Sequence, residues 1–263
     1  MNTPKEVIKN MENAGIVKAG ISSDEPVRLA VLSALAGVYI AMGGILSVIA
    51  GYGFPEITAG NPSLQRLFSG AAFPVGLILV VLVGAELFTG NNAVLMPGAL
   101  NRRIRPMAVV RNWTLVYLGN FIGALGFSYL FVYLCGLTAS DPYHEAVQRI
   151  ALAKVSMPWH VVFLKGIAAN WFVCLAVWLA AAGKSAISKI AGCWLPVMAF
   201  VALGYEHSIA NMFFIPIGMM EGADISVSRF VVGNLFPATI GNIVGGALMV
   251  GTAYWFVFAR ERK

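Results

Sequence analysis

The chain has 263 residues, of which 59% are hydrophobic and only 11% charged. A soluble domain carries about 25% charged residues, so this composition excludes a solvated globule and requires contact with lipid. The net charge of +6 does not point to nucleic acid, because Lys and Arg fall in short stretches between apolar runs and not along one helix face.

The first 26 residues mix Lys5, Lys9 and Lys18 with Glu6, Glu12, Asp24 and Glu25. Pro4–Gly20 reads as an amphipathic segment on the membrane surface. The apolar run after it is too long for a cleavable signal core and reads as a retained first span. Six apolar segments follow in order: Val27–Ala50, Leu67–Leu100, Arg111–Leu137, Val161–Ala182, Trp194–Met219 and Phe230–Ala259. A span needs about 20 residues, so six spans and their loops fill the chain. The expected organisation is one transmembrane domain over 1–263. It comprises a cytoplasmic amphipathic segment (1–26), a six-helix pore bundle (27–259) and a short cytoplasmic tail (260–263).

Basic residues alternate between the loops. With the N-terminus inside, one side holds Lys5, Lys9, Lys18, Arg28, Arg102, Arg103, Arg105, Arg111, Lys184, Lys189, Arg260, Arg262 and Lys263. The other side holds Arg66, Arg149, Lys154, Lys165 and Arg229. This bias puts both termini in the cytoplasm of a cell's plasma (inner) membrane.

The chain also repeats itself. Gly84–Asn91 aligns with Gly204–Asn211, and Gly119–Gly123 with Gly241–Gly245, at nearly equal spacing. Two halves of three spans each have opposite orientations, and inverted repeats with broken helices carry their site near the midplane. The second span holds Glu86-Leu87-Phe88-Thr89-Gly90-Asn91-Asn92 and the fifth Glu206-His207-Ser208-Ile209-Ala210-Asn211. Polar groups at this depth are costly without partners, and Gly and Asn are poor interior helix formers. Both helices are therefore predicted to break here, with Asn and Thr as caps. Two half-helix starts facing a pore favour an anion.

His207 is the one histidine predicted at membrane depth, and it reads as a pore residue that titrates near working pH. Glu86 and Glu206 read as acceptors of backbone N–H groups freed by the breaks, with a proton relay as the alternative. Thr89 either bonds a passing anion or caps a half-helix. Lys154 and Lys165, beside the fourth span, either snorkel or concentrate anions at a mouth. Phe73, Leu77, Leu87, Phe88 and Phe200 flank the breaks, where a few large apolar residues form dry constrictions.

Enzyme signatures are absent. Gly183-Lys184-Ser185 lacks the first glycine of a phosphate-binding loop, since Trp178 stands there. Asn112-Trp113-Thr114 fits a glycosylation acceptor but falls at an inner span end. Cys135, Cys174 and Cys193 match no zinc or disulfide spacing. No metal and no cofactor is expected.

Gly84–Asn91, Gly204–Met212, Phe163–Ala176 and Gly233–Gly246 together resemble the formate/nitrite transporter family. The resemblance implies an aquaporin-like fold, a homopentamer with one pore per protomer, and transport of formate, nitrite, hydrosulfide or short carboxylates, often with a proton. It identifies Thr89 as the family's loop threonine, His207 as its central histidine, Asn170 as the asparagine near it, and Lys154 as the lysine before the fourth helix. It also identifies Asn242 as an asparagine of the last helix. Phe73 and Phe200 match an outer constriction; Leu77, Leu87 and Phe88 match positions at or beside an inner one. The Glu221–Arg229 loop is shorter than in some formate channels. The reading is a proton-linked formate channel, with nitrite or hydrosulfide as the alternative. An aquaporin-type neutral-solute pore is disfavoured by Asn91-Asn92-Ala93 and Asn211-Met212-Phe213, which stand where that type carries Asn-Pro-Ala.

Overall fold

Helices begin where proline permits. Pro4, Pro26, Pro62 and Pro106 each open a helix, at the position where a missing N–H costs nothing. The computed structural model describes residues 1–259. The predicted tail residues Arg260, Arg262 and Lys263 lie outside the described residues. In chain order the main helices are α1 (Pro4–Asp24), α2 (Pro26–Tyr52), α3 (Pro62–Val83), α4 (Phe88–Val94), α5 (Pro106–Tyr133), α6 (Tyr143–Val155), α7 (Trp159–Ala182), α8 (Ala186–Ala202), α9 (Ser208–Met220) and α10 (Arg229–Phe258). Five of them, α2, α3, α5, α7 and α10, are long and apolar enough to cross a membrane. The fifth predicted segment is divided into α8 and α9, both apolar but shorter. The α3 and α8 helices start earlier than hydropathy indicates, because polar residues such as Ser63, Gln65, Ser188 and Lys189 fall in or next to their first turns.

The α1 helix packs against the bundle. A capping box between Thr3 and Glu6 starts it, and the Thr3 N–H and hydroxyl hold the exposed Glu6 carboxyl below the usual range. Its apolar stripe of Val7, Ile8, Met11, Gly15 and Ala19 is buried against the bundle, including Val94 and Trp178. The stripe docks on protein, which leaves the opposite polar face to solvent. The α6 helix was not expected; it buries Ala146, Val147, Ala151 and Val155 on one face.

Close helix contacts confirm the repeat. An added Cβ at Gly123 of α5 would stand 1.9 Å from the Ala34 carbonyl of α2, and one at Gly245 of α10 would stand 2.2 Å from the Ile167 carbonyl of α7. The pairs α2–α5 and α7–α10 are thus equivalent, each pressed together at glycine. The α10 helix contains wide π-helical turns at Arg229–Leu235 and Val244–Thr252.

Both breaks are alike. Gly84 and Gly204 take left-handed φ values of 88° and 71°, which L side chains adopt only at a cost. Three residues later Leu87 and His207 are extended, and a new helix starts.

Candidate functional site

The first backbone donor of each half-helix is held by a side chain from a distant helix. Phe88 N–H donates to Asn120 Oδ1 at 2.9 Å, and Ser208 N–H donates to Asn242 Oδ1 at 2.8 Å. These tertiary bonds, and not the predicted Asn and Thr caps, hold the first donors, and His207 is a local cap for the Ala210 N–H. Asn120 Nδ2 returns to the Ser33 and Glu86 carbonyls; Asn242 Nδ2 returns to the Gly166 and Glu206 carbonyls. Each asparagine braces one break with three bonds.

The carboxylates beside the breaks also differ from expectation: they accept from side chains and not from backbone N–H groups. Glu206 accepts from Lys154 Nζ at 2.8 Å, Asn211 Nδ2 at 2.7 Å and Asn234 Nδ2 at 3.0 Å. Glu86 accepts from Lys18 Nζ at 2.6 Å and Asn91 Nδ2 at 2.8 Å. Asn112 and Asn234 occupy matching places: each donates to the carbonyl of its lysine, Lys18 or Lys154, and accepts from Asn91 or Asn211. A buried carboxylate demands such pairing. Lys18, Asn112, Asn120 and Asn234 are not among the site residues read from the sequence. Lys18 stands to Glu86 in the first half as Lys154 stands to Glu206 in the second, at sequence separations of 68 and 52 residues.

The two half-helix starts meet at one contact. His207 Nε2 lies 3.0 Å from Thr89 Oγ1, and both residues are buried. His207 Nδ1 accepts the Ala210 N–H at 3.1 Å, so that nitrogen carries no proton in the neutral ring. The proton then sits on Nε2, which donates to Thr89. The Thr89 hydroxyl caps no backbone N–H and keeps its own hydrogen to donate. The Phe200 ring stacks on His207 at 5.8 Å.

Cavities flank this contact. One, of about 530 Å³, is lined by Lys154, Lys165, Arg66, Arg149, Glu206 and Asn211, with Phe73, Phe200 and His207 among the remaining lining residues. The other, of about 500 Å³, is lined by Lys18, Glu86, Asn91, Leu77 and Leu87 among others. Phe73 meets Phe200 edge to face at 6.0 Å, and both are buried. Phe73 and Leu77, one helical turn apart on α3, thus face different cavities; His207 lines the first, and Thr89 lines neither, though Leu87 and Gly90 beside it line the second. Phe88 lines neither cavity and packs on Tyr117, ring centroids 4.9 Å apart. Asn170 also lines neither; its Nδ2 donates to the Thr89, Asn92 and Asn242 sites at 3.1, 3.2 and 2.7 Å. It supports the backbone under Thr89. No cluster of metal-ligating side chains occurs among the described residues.

The chain is 42% identical over 249 residues to a "Probable formate transporter" of Methanothermobacter thermautotrophicus, covering 89% of this chain and 90% of that one. It is 36% identical over 278 residues to the formate channel FocA of Escherichia coli K12, covering 98% and 95%. Among solved structures, an FNT family ion channel superposes with a TM-score of 0.87 at 31% identity, covering 96% of this chain and 98% of that one. A pentameric formate channel with formate bound superposes at 0.77, also at 31% identity, covering 89% and 98%. The formate/nitrite transporter family profile matches residues 5–256, and the chain belongs to that family.

Proposed function

We propose that this chain conducts small monovalent anions, formate first, through one pore in each protomer of a homopentamer. The observation that carries the reading is the Thr89–His207 contact, a pair of hydrogen-bonding groups between two cavities and beside apolar rings. The formate channels among its relatives and the pentameric, formate-bound neighbour support substrate and assembly. Both termini lie in the cytoplasm of the inner membrane, which makes the Lys154 cavity the outer vestibule and the Lys18 cavity the inner one.

A formate ion is stable in water and unstable between dry rings. The Nε2–H of His207 and the Thr89 hydroxyl offer it two donors at the midpoint, and half-helix starts add positive potential. Proton coupling follows if a proton reaches His207 Nδ1. That proton displaces the Ala210 N–H and makes an imidazolium. A carboxylate oxygen then takes the Nε2 proton, leaving a neutral ring and a neutral acid that crosses the apolar ring. Nitrite and hydrosulfide are the alternative substrates, being small anions of conjugate acids.

The test is flux into liposomes with and without a pH gradient, with formate, nitrite and hydrosulfide in competition. Formate uptake with accompanying proton entry is expected. His207→Asn keeps a donor but does not titrate, so it should retain anion conductance with a flattened pH profile. Wild-type pH dependence in both His207→Asn and His207→Phe would remove the proposed coupling.

A further inference from the structure

The two vestibules share a polar skeleton but not a charge. The inner cavity is lined by one cation and one carboxylate, Lys18 and Glu86, which pair with each other. The outer cavity is lined by Arg66, Arg149, Lys154 and Lys165 against a single carboxylate, Glu206. Lys154 is taken up by that carboxylate. Three cations remain.

For Lys165 and Arg149, the equivalents in the first half show that the charge is an addition to the common frame. The Lys165 carbonyl accepts the Glu206 N–H, as the Leu32 carbonyl accepts the Glu86 N–H. Lys165 therefore stands where the related half has leucine. Arg149 precedes Lys154 by the same spacing as Asn13 precedes Lys18, and both Arg149 and Asn13 line their cavities. Arg66 and Lys165 have no acidic partner among the described residues. Arg149 makes only a long contact of 3.8 Å to the exposed Glu145, which does not line the cavity. Its guanidinium lies over the Tyr52 ring, 5.5 Å from the centroid, which keeps it at the mouth.

A half-enclosed cavity with two unpaired cations and a third held only loosely favours anions of higher charge over monovalent ones, and guanidinium groups suit oxyanions. A divalent oxyanion cannot leave inward, because the buried Phe73–Phe200 contact stands beneath it. We propose that Arg66, Arg149 and Lys165 form an anion-holding site in the outer vestibule that takes divalent inorganic oxyanions such as sulfate, which compete with the conducted anion from that side alone. The proposal rests on the transport reading above.

The experiment uses the full-length protein and sulfate as probe. Formate flux is measured in right-side-out and inverted membrane vesicles, with sulfate or gluconate added at equal ionic strength. External sulfate should slow formate entry competitively, and sulfate on the cytoplasmic side should not. Lys165→Leu, which copies the related half, and Arg66→Gln and Arg149→Gln should each weaken the competition by about threefold. Sulfate binding to the purified protein, measured by titration calorimetry, should fall in the same order. If sulfate binds and the triple variant abolishes binding, yet no variant or wild-type vesicle moves formate, the transport reading fails and the site stands. If formate flux is normal and sulfate neither binds nor competes, or competes equally from both sides, the site is overturned.

Discussion

The proton on the central histidine is placed by one backbone donor. Because Ala210 N–H occupies Nδ1, Nε2 must donate, and Thr89 is its acceptor. Replacing Thr89 with Val preserves volume and leaves that buried N–H unpaired, a cost of about 1–3 kcal/mol. We expect Thr89→Val to remain folded with a lower unfolding temperature, and its formate flux to fall at least about tenfold. Flux per folded pore equal to wild type would show that the hydroxyl does not meet the anion. At the ion pair, Lys154→Met strands the Glu206 carboxylate, which is only 3% exposed. Breaking one partner of a buried pair costs about 3–5 kcal/mol, whereas Lys154→Met with Glu206→Gln should recover most of the loss. A double-mutant cycle on thermal unfolding in detergent measures this coupling, and additive losses would show that the pair is not coupled.

At the scale of elements, each break depends on an asparagine from another helix. Asn120→Ala and Asn242→Ala each remove three hydrogen bonds and expose a half-helix N–H in a dry site. Each should cost at least about 3 kcal/mol. Gly204→Ala isolates the backbone cost, since an added Cβ meets nothing within 4 Å. It should destabilise by about 1–2 kcal/mol through its left-handed φ alone. The same unfolding assay ranks the three variants, and a Gly204→Ala loss equal to that of Asn242→Ala would contradict the assignment. The breaks themselves were legible in the sequence, because Glu, Gly and Asn interrupt apolar runs in two related places. What braces them was not legible. Asn120 and Glu86 are 34 residues apart, and Lys18 and Glu86 are 68 apart. Hydropathy reports depth and carries no information on which distant side chain reaches a freed N–H. The α6 helix was missed for a related reason: its short apolar face of Ala146, Val147, Ala151 and Val155 falls below the length that marks a span.

In the whole molecule, vestibule, ring, central contact and second vestibule all come from one chain. On the proposed function, one protomer then carries the whole path. The wide exposure of apolar side chains such as Ile122, Leu164, Leu195 and Val232 leaves an outer surface for lipid and for other copies. If assembly serves stability while conduction stays within each subunit, then flux must be additive over subunits. Mixed pentamers of wild-type and His207→Phe chains should therefore conduct in direct proportion to the fraction of wild-type chains, at fixed pentamer number verified by native mass measurement. A shared central path would instead pass the variant's defect to every complex that contains it, and flux would fall much faster than the wild-type fraction. The linear outcome is expected because the bonds from His207 to Thr89, from Ala210 to His207 and from Asn170 to Thr89 all join residues of one chain.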